Sequence, residues 1–154
     1  MHLSKFTDYA LRVCLYLGAH QDRRVPISEI ARAHDLSQSN LMKVVNQLVD
    51  GGYLKSTRGR AGGVELSRPA AEIRVGDIAR YMEGDSKLVD CSTCILRGAC
   101  GLVRALAEAK NAFYQSLDRF SLADAVLAHP RTLSLLLNAA STSGAGEMAL
   151  EGRA

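Results

Sequence analysis

The chain of 154 residues contains no tryptophan, and aromatic residues make up only 5% of it. That scarcity argues against a ligand pocket walled by aromatic rings. No stretch of 18 apolar residues occurs, so no transmembrane helix is expected. The opening MHLSKFTDYALR places charges inside the first apolar stretch and does not read as a secretory signal, so a cytoplasmic location is expected. Also missing are a candidate acid–base pair, a nucleophile with a nearby base motif and a nucleotide fingerprint. The chain therefore reads as something other than an enzyme.

Cysteine is scarce but not scattered. Three of the four cysteines, Cys91, Cys94 and Cys100, fall in the segment DCSTCILRGAC. Cytosolic thiols are normally kept reduced, so a cluster of them points to metal or redox chemistry before structural disulfides. An iron–sulfur cluster, a zinc ion and a thiol switch closing Cys91–Cys94 or Cys94–Cys100 all remain open on residue type alone. Cys14 lies between Val13 and Leu15 on an apolar helix and reads as a small buried hydrophobe.

Charge is uneven. Residues 1–80 carry 12 Lys/Arg against 8 Asp/Glu, while residues 81–154 carry 7 against 8. The excess in the first half suits a polyanion partner there.

The apolar spacing predicts a helix over Phe6–Ala19 that buries Phe6, Ala10, Val13 and Leu17. After a polar break, QDRRVP, a short helix is expected at Ile27–Ala33 and a turn at His34–Leu36. Ser37 fits an N-cap, followed by a helix from Gln38 to about Asp50. Leu41, Val44, Val45 and Leu48 form its buried stripe, and Asn40, Lys43 and Gln47 its polar face. Two strands, Tyr53–Thr57 and Gly63–Ser67, flank the basic glycine-rich loop RGRAG. A helix at Arg74–Glu83 precedes the cysteines. A long helix follows them, with an apolar seam at Leu102, Leu106, Ala109, Phe113 and Leu117. One or two further helices are expected around Pro130.

The fold class is therefore mainly α with a small β-hairpin wing, a winged helix-turn-helix plus a long dimerisation helix. The boundaries read as 1–83 for the DNA-binding domain, 84–101 for a cluster-binding loop, 102–138 for the dimerisation and C-terminal helices, and 139–154 for a disordered tail. Double-stranded DNA is the expected partner. Ser37, Gln38, Ser39, Asn40 and Lys43 are the candidates for contact from the helix. Arg58, Gly59 and Arg60 are those from the wing, where arginines meet the concentrated negative potential of a minor groove.

FTDYALR, ISEIARAHDLS, TRGRAGGVELSRPAAEIRVGDI, the three-cysteine segment and FSLADAV occur in an order that resembles the iron–sulfur winged-helix regulators, a family that includes the NsrR, IscR and RirA types. The likeness covers roughly residues 1–127. It implies a homodimer on a near-palindromic operator, paired through the Leu102–Leu117 seam. It also implies an iron–sulfur cluster, 4Fe–4S in preference to 2Fe–2S, on the loop before that seam. In the IscR type a histidine three residues after the last cysteine is a ligand; here Val103 stands there. In the NsrR type the aspartate of FTDY serves, supplied by the other protomer; here it is Asp8. The resemblance therefore implies a metal site of Cys91, Cys94, Cys100 and Asp8, in a repressor that senses nitric oxide. An iron-status or cluster-supply regulator of the same family is the alternative. The gap between the first two cysteines is two residues, shorter than the family's pattern, which leaves the loop geometry open.

Overall fold

The computed structural model describes residues 2–141. Seven α-helices and one hairpin follow in order: α1 (Lys5–Ala19), α2 (Ile27–Ala33), α3 (Gln38–Asp50), β1 (Leu54–Thr57), β2 (Gly63–Leu66), a 3-10 turn (Ala70–Glu72), α4 (Val75–Glu83), α5 (Leu102–Leu117), α6 (Leu122–Leu127) and α7 (Pro130–Ser141). This is a winged helix-turn-helix with an appended helical arm.

Helix α1 is the hub, packed by α3, α4, α6, α7 and the wing. Ala10, Val13, Cys14 and Tyr16 are wholly buried and Leu17 nearly so. Each fully buried aliphatic side chain contributes about 1.5–3 kcal/mol relative to exposure. Burial pushes the Cys14 thiol up to about 12, which makes it an inert core residue, as expected. Phe6 departs from expectation. It lies outside the core with 41% of its surface exposed, because the buried stripe at the start of α1 runs through Thr7, Tyr9 and Ala10.

The polar break conceals a core residue. Val25 is wholly buried and exchanges two 2.9 Å backbone hydrogen bonds with Val64, forming a one-residue antiparallel bridge on the edge of β2 away from β1. Gly63 allows this approach, since a Cβ there would stand 2.8 Å from the Val25 carbonyl oxygen. Nearby, Tyr16 donates to Glu29 (2.8 Å), and Arg23 grips the same carboxylate through two bonds of 2.6 and 3.1 Å. The hydrogen bonds from Arg23 hold the Glu29 carboxyl below its ordinary range against the opposing effect of burial. Burial, with Glu29 alongside, pushes the Tyr16 phenol up to about 12.

Helix α4 starts at Val75, with Arg74 as its cap residue. Helix α7 opens on Pro130, whose missing N–H costs nothing at a first helical position. It runs through Ser141, so residues 139–141 of the expected tail are helical; the remainder of that tail lies outside the described residues. No described helix is long and apolar enough to cross a membrane.

Candidate nucleic-acid interface and cysteine segment

The turn between α2 and α3 is set by Asp35, the one non-glycine residue with positive φ (50°) among the described residues. Aspartate tolerates this left-handed conformation better than most side chains. Leu36 N–H closes the turn on the Ala31 carbonyl at 2.8 Å. Ser37 occupies the cap position of α3, but its hydroxyl does not cap the helix. It pairs instead with the Ser39 hydroxyl at 2.9 Å, leaving both side chains at the exposed start of α3.

Helix α3 buries Leu41, Val44, Val45 and Leu48, as the sequence spacing implies. Its outward face differs in detail. Gln38, Ser39, Met42, Lys43, Asn46 and Asp50 are exposed, whereas Asn40 and Gln47 are half-buried. Gln38, Met42 and Asn46 recur at four-residue spacing, and all three line one cleft of about 510 Å³ with Thr57, Arg58 and Gly59 of the wing. Ser28, at the start of α2, borders the same cleft. Met42, Asn46, Ser28 and Thr57 were not singled out in the sequence. The four-residue recurrence could have revealed the first two; only the tertiary approach of α2 and the wing reveals the others.

The wing pairs Leu54 with Leu66 and Thr57 with Gly63 in antiparallel register. Gly59 takes φ +104°, a conformation that favours glycine, and its carbonyl receives the Gly62 N–H at 2.9 Å. Arg58 and Arg60 are exposed on the loop, with no ion pair among the described residues. Lys43 on α3 is likewise exposed.

Two tyrosines tie this reading surface to α4. Tyr81 of α4 donates to the Gln47 carbonyl at 2.9 Å, and Tyr53 at the foot of β1 donates to the Asp77 carbonyl at 3.2 Å. Their rings stand 5.4 Å apart. A Cβ at Gly51 would lie 2.5 Å from the Tyr81 ring, so glycine there admits the contact. At the far end of α4, Glu83 accepts from the Ser4 backbone N–H (2.6 Å) and the Thr7 hydroxyl (2.5 Å). Burial raises the Glu83 pKa, but these hydrogen bonds outweigh it and the net shift is downward. Glu83 thus holds the start of α1, the turn that carries Asp8, beside the root of the cysteine segment.

That segment is open. Residues 84–90 and 92–99 are exposed, and only Cys91 and Cys100 are half-buried. Successive turns shape it: Cys94 N–H donates to the Cys91 carbonyl (3.3 Å) and Arg97 N–H to that of Cys94 (3.1 Å). Ile95 is 97% exposed. All three thiols are free. Among the described residues, no three His, Cys, Asp or Glu side chains come close enough to share a metal ion. The structure thus places the three cysteines on one short segment without drawing their side chains to a single point. Cys91 borders an apolar cleft of about 240 Å³ formed with Leu88, Val89, Val103 and Leu106. Asp8 does not join them in a metal-holding group among the described residues. Its carboxylate, about half exposed, is held in both oxygens by Arg12 one turn along α1, at 2.9 and 3.0 Å.

Helix α5 packs on α4 through Tyr114, its one buried residue, over which Arg80 lies at 5.1 Å. Arg80 also bonds Asp118 at 2.7 Å and Asp77 at 3.0 Å. Of the expected seam, Phe113, Leu106 and Leu117 are half-buried, while Leu102 is 65% exposed and its neighbour Val103 56%.

Residues 3–128 match the Rrf2 family model, described as an iron-dependent transcriptional regulator. The chain belongs to the Rrf2 family. Members of this family are DNA-binding transcription factors, not enzymes. Among solved structures it is similar to CymR (YrzC), the global cysteine regulator of B. subtilis. That match has 27% identity and a TM-score of 0.70, covering 84% of this chain and 98% of CymR. It is similar to T. potens IscR at 27% identity and TM-score 0.68, over 83% of this chain and 88% of IscR. Staphylococcus aureus CymR in its oxidized form matches at 27% identity and TM-score 0.62, over 80% and 94%.

Proposed function

We propose that this Rrf2-family regulator is a homodimeric repressor whose operator affinity is controlled by an iron–sulfur cluster, with nitric oxide as the signal. The observation that carries the reading is the placement of three free thiols on an exposed segment between α4, which touches α3 and the wing, and α5, whose first turn exposes Leu102 and Val103. The donor chemistry suits the group: thiolates are soft ligands for iron, and none is consumed in a disulfide. Cys91, Cys94 and Cys100 would hold a 4Fe–4S cluster, with Asp8 of a second copy as the oxygen ligand. Such a cluster would supply iron able to bind small diatomic ligands.

The chain's own residues do the rest. On α1, Arg12 holds the Asp8 carboxylate through one bond to each oxygen, which orients it while leaving a lone pair on each oxygen free to ligate. Glu83 fixes that same turn of α1 to α4. Tyr81 and Tyr53 carry the position of α4 to the end of α3 and the foot of the wing. Ser37, Gln38, Ser39, Asn40 and Lys43 would enter a major groove, with Arg58, Gly59 and Arg60 against the adjacent minor groove. A coupling of about 1–3 kcal/mol through this chain of contacts would change operator affinity about 5–150-fold.

The test is anoxic purification followed by spectroscopy and DNA binding. The expected result is a coloured protein that binds an operator and loses both colour and DNA when nitric oxide is added. A colourless, iron-free preparation with the same operator affinity overturns the reading. A second reading, response to iron or cluster supply, is supported by the family description, an iron-dependent transcriptional regulator. Release of DNA on iron removal, with no effect of nitric oxide, selects it.

A further inference from the structure

Met42 interrupts the outward face of α3. It is not a core residue, since Leu41, Val44, Val45 and Leu48 are at most 1% exposed while Met42 is 45% exposed. Its neighbours on that face, Ser39, Lys43 and Asn46, are all polar. Single exposed apolar side chains are common on protein surfaces; what distinguishes Met42 is its place on the same face of α3 as Gln38, Lys43 and Asn46. Met42 lies between Gln38 and Asn46, one helical turn to either side, in a cleft that Pro26 and Ile27 also line. All three face the cleft that Arg58 and Gly59 close from the wing.

The ligand that fits this pattern is defined by base chemistry. In the major groove, adenine, guanine and cytosine present donors and acceptors, whereas thymine adds an apolar C5-methyl group. A thioether is a poor hydrogen-bonding partner and a good packing partner for a methyl group. We infer that Met42 is a specificity determinant that packs on the 5-methyl group of one thymine in each operator half-site, with Gln38 and Asn46 reading the edges of the flanking bases. This rests on α3 entering the major groove and is independent of the cysteine segment.

The experiment selects a preferred duplex from a random-sequence pool with the full-length protein, then replaces each thymine in turn with deoxyuridine, which lacks only the methyl group. One position per half-site is expected to weaken binding about 3- to 10-fold, the size of one methyl lost from an apolar contact. Met42→Ala should bind the thymine and uracil duplexes equally, with its thermal melt unchanged. Met42→Gln should shift the enriched base at that position toward adenine, which glutamine pairs with in bidentate fashion. A penalty for uracil that persists in full in Met42→Ala overturns the inference, as does the absence of any sensitive thymine. Failure of the pool to yield any preferred sequence is a different result, since it removes base reading by α3 altogether.

Discussion

The reading head and the cysteine arm are stabilised in opposite ways. In the head, α1 is enclosed on several sides, and its cavities are filled by Val13, Cys14, Tyr16 and Leu17 together with Leu41 and Leu48 from α3. In the arm, nearly every residue from 84 to 101 is exposed, and α5 buries a single tyrosine. The head therefore draws its folding energy from its own chain. The arm keeps large apolar side chains and free thiols in contact with water, and that surface is what a second copy and a metal group would cover. A regulator divided in this way can change the arm without melting the head.

The sharpest way to break the contrast is in the head. Leu48→Ala should cost about 2–5 kcal/mol of unfolding free energy, measured by denaturant titration. Leu102→Lys with Val103→Lys in the arm should leave the unfolding free energy within about 0.5 kcal/mol of the wild type when both are measured at a concentration low enough to be monomeric. At higher concentration, where the proposed homodimer would form, the double variant should sediment as a monomer and the wild type as a dimer. Equal stability losses at the two places would erase the distinction.

Cys94→Ser sharpens it chemically. Metal-free protein should keep its stability within about 0.5 kcal/mol, because Cys94 is exposed. The visible absorbance of anoxically purified protein should be lost. A large fall in the melting temperature of the metal-free variant would show that the segment is structural.

A smaller effect is expected from Glu29→Gln, which weakens two bonds from Arg23 and one from Tyr16. The cost should be about 1–2 kcal/mol at pH 7. Because Arg23 depresses the Glu29 pKa in the folded state, this stability is present above the ordinary carboxyl value of 4.5 and is lost as pH falls through the lower folded value. Wild type and variant should therefore converge on acidification below 4.5. Divergence in acid would invert the assignment.

The smallest effect concerns the joint between the two regions. Tyr81→Phe removes one hydrogen bond to Gln47 and should cost about 1 kcal/mol or less. Its ratio of loaded to metal-free operator affinity should fall several-fold while the visible spectrum is unchanged. A ratio equal to that of the wild type would remove α4 from the coupling route.

Much of the head was legible in the residue pattern. The four-residue stripe of α3, the glycine-rich wing loop and the apolar periodicity of α1 each reflect local rules, because a helix or hairpin buries one face at a fixed period. Phe6 and Val25 were misplaced for one reason: burial at a helix start or inside a polar stretch depends on what packs from elsewhere in the chain. The Ser37 hydroxyl was misread because a nearby serine competes with the backbone amide.

In the site, the identity of the thiols and of Arg58 and Arg60 was evident from residue type, while their arrangement was not. Residue order by itself determined the sequence of elements, the buried face of α3 and the clustering of cysteines, since these depend on neighbours a few positions apart. Only the tertiary structure decided that Ser28 and Thr57 join α3 in one cleft, that Arg12 holds Asp8, and that Tyr53 and Tyr81 bind α4 to the reading surface. Those contacts join residues far apart in the chain, and they form only where the common core has already brought their backbones together.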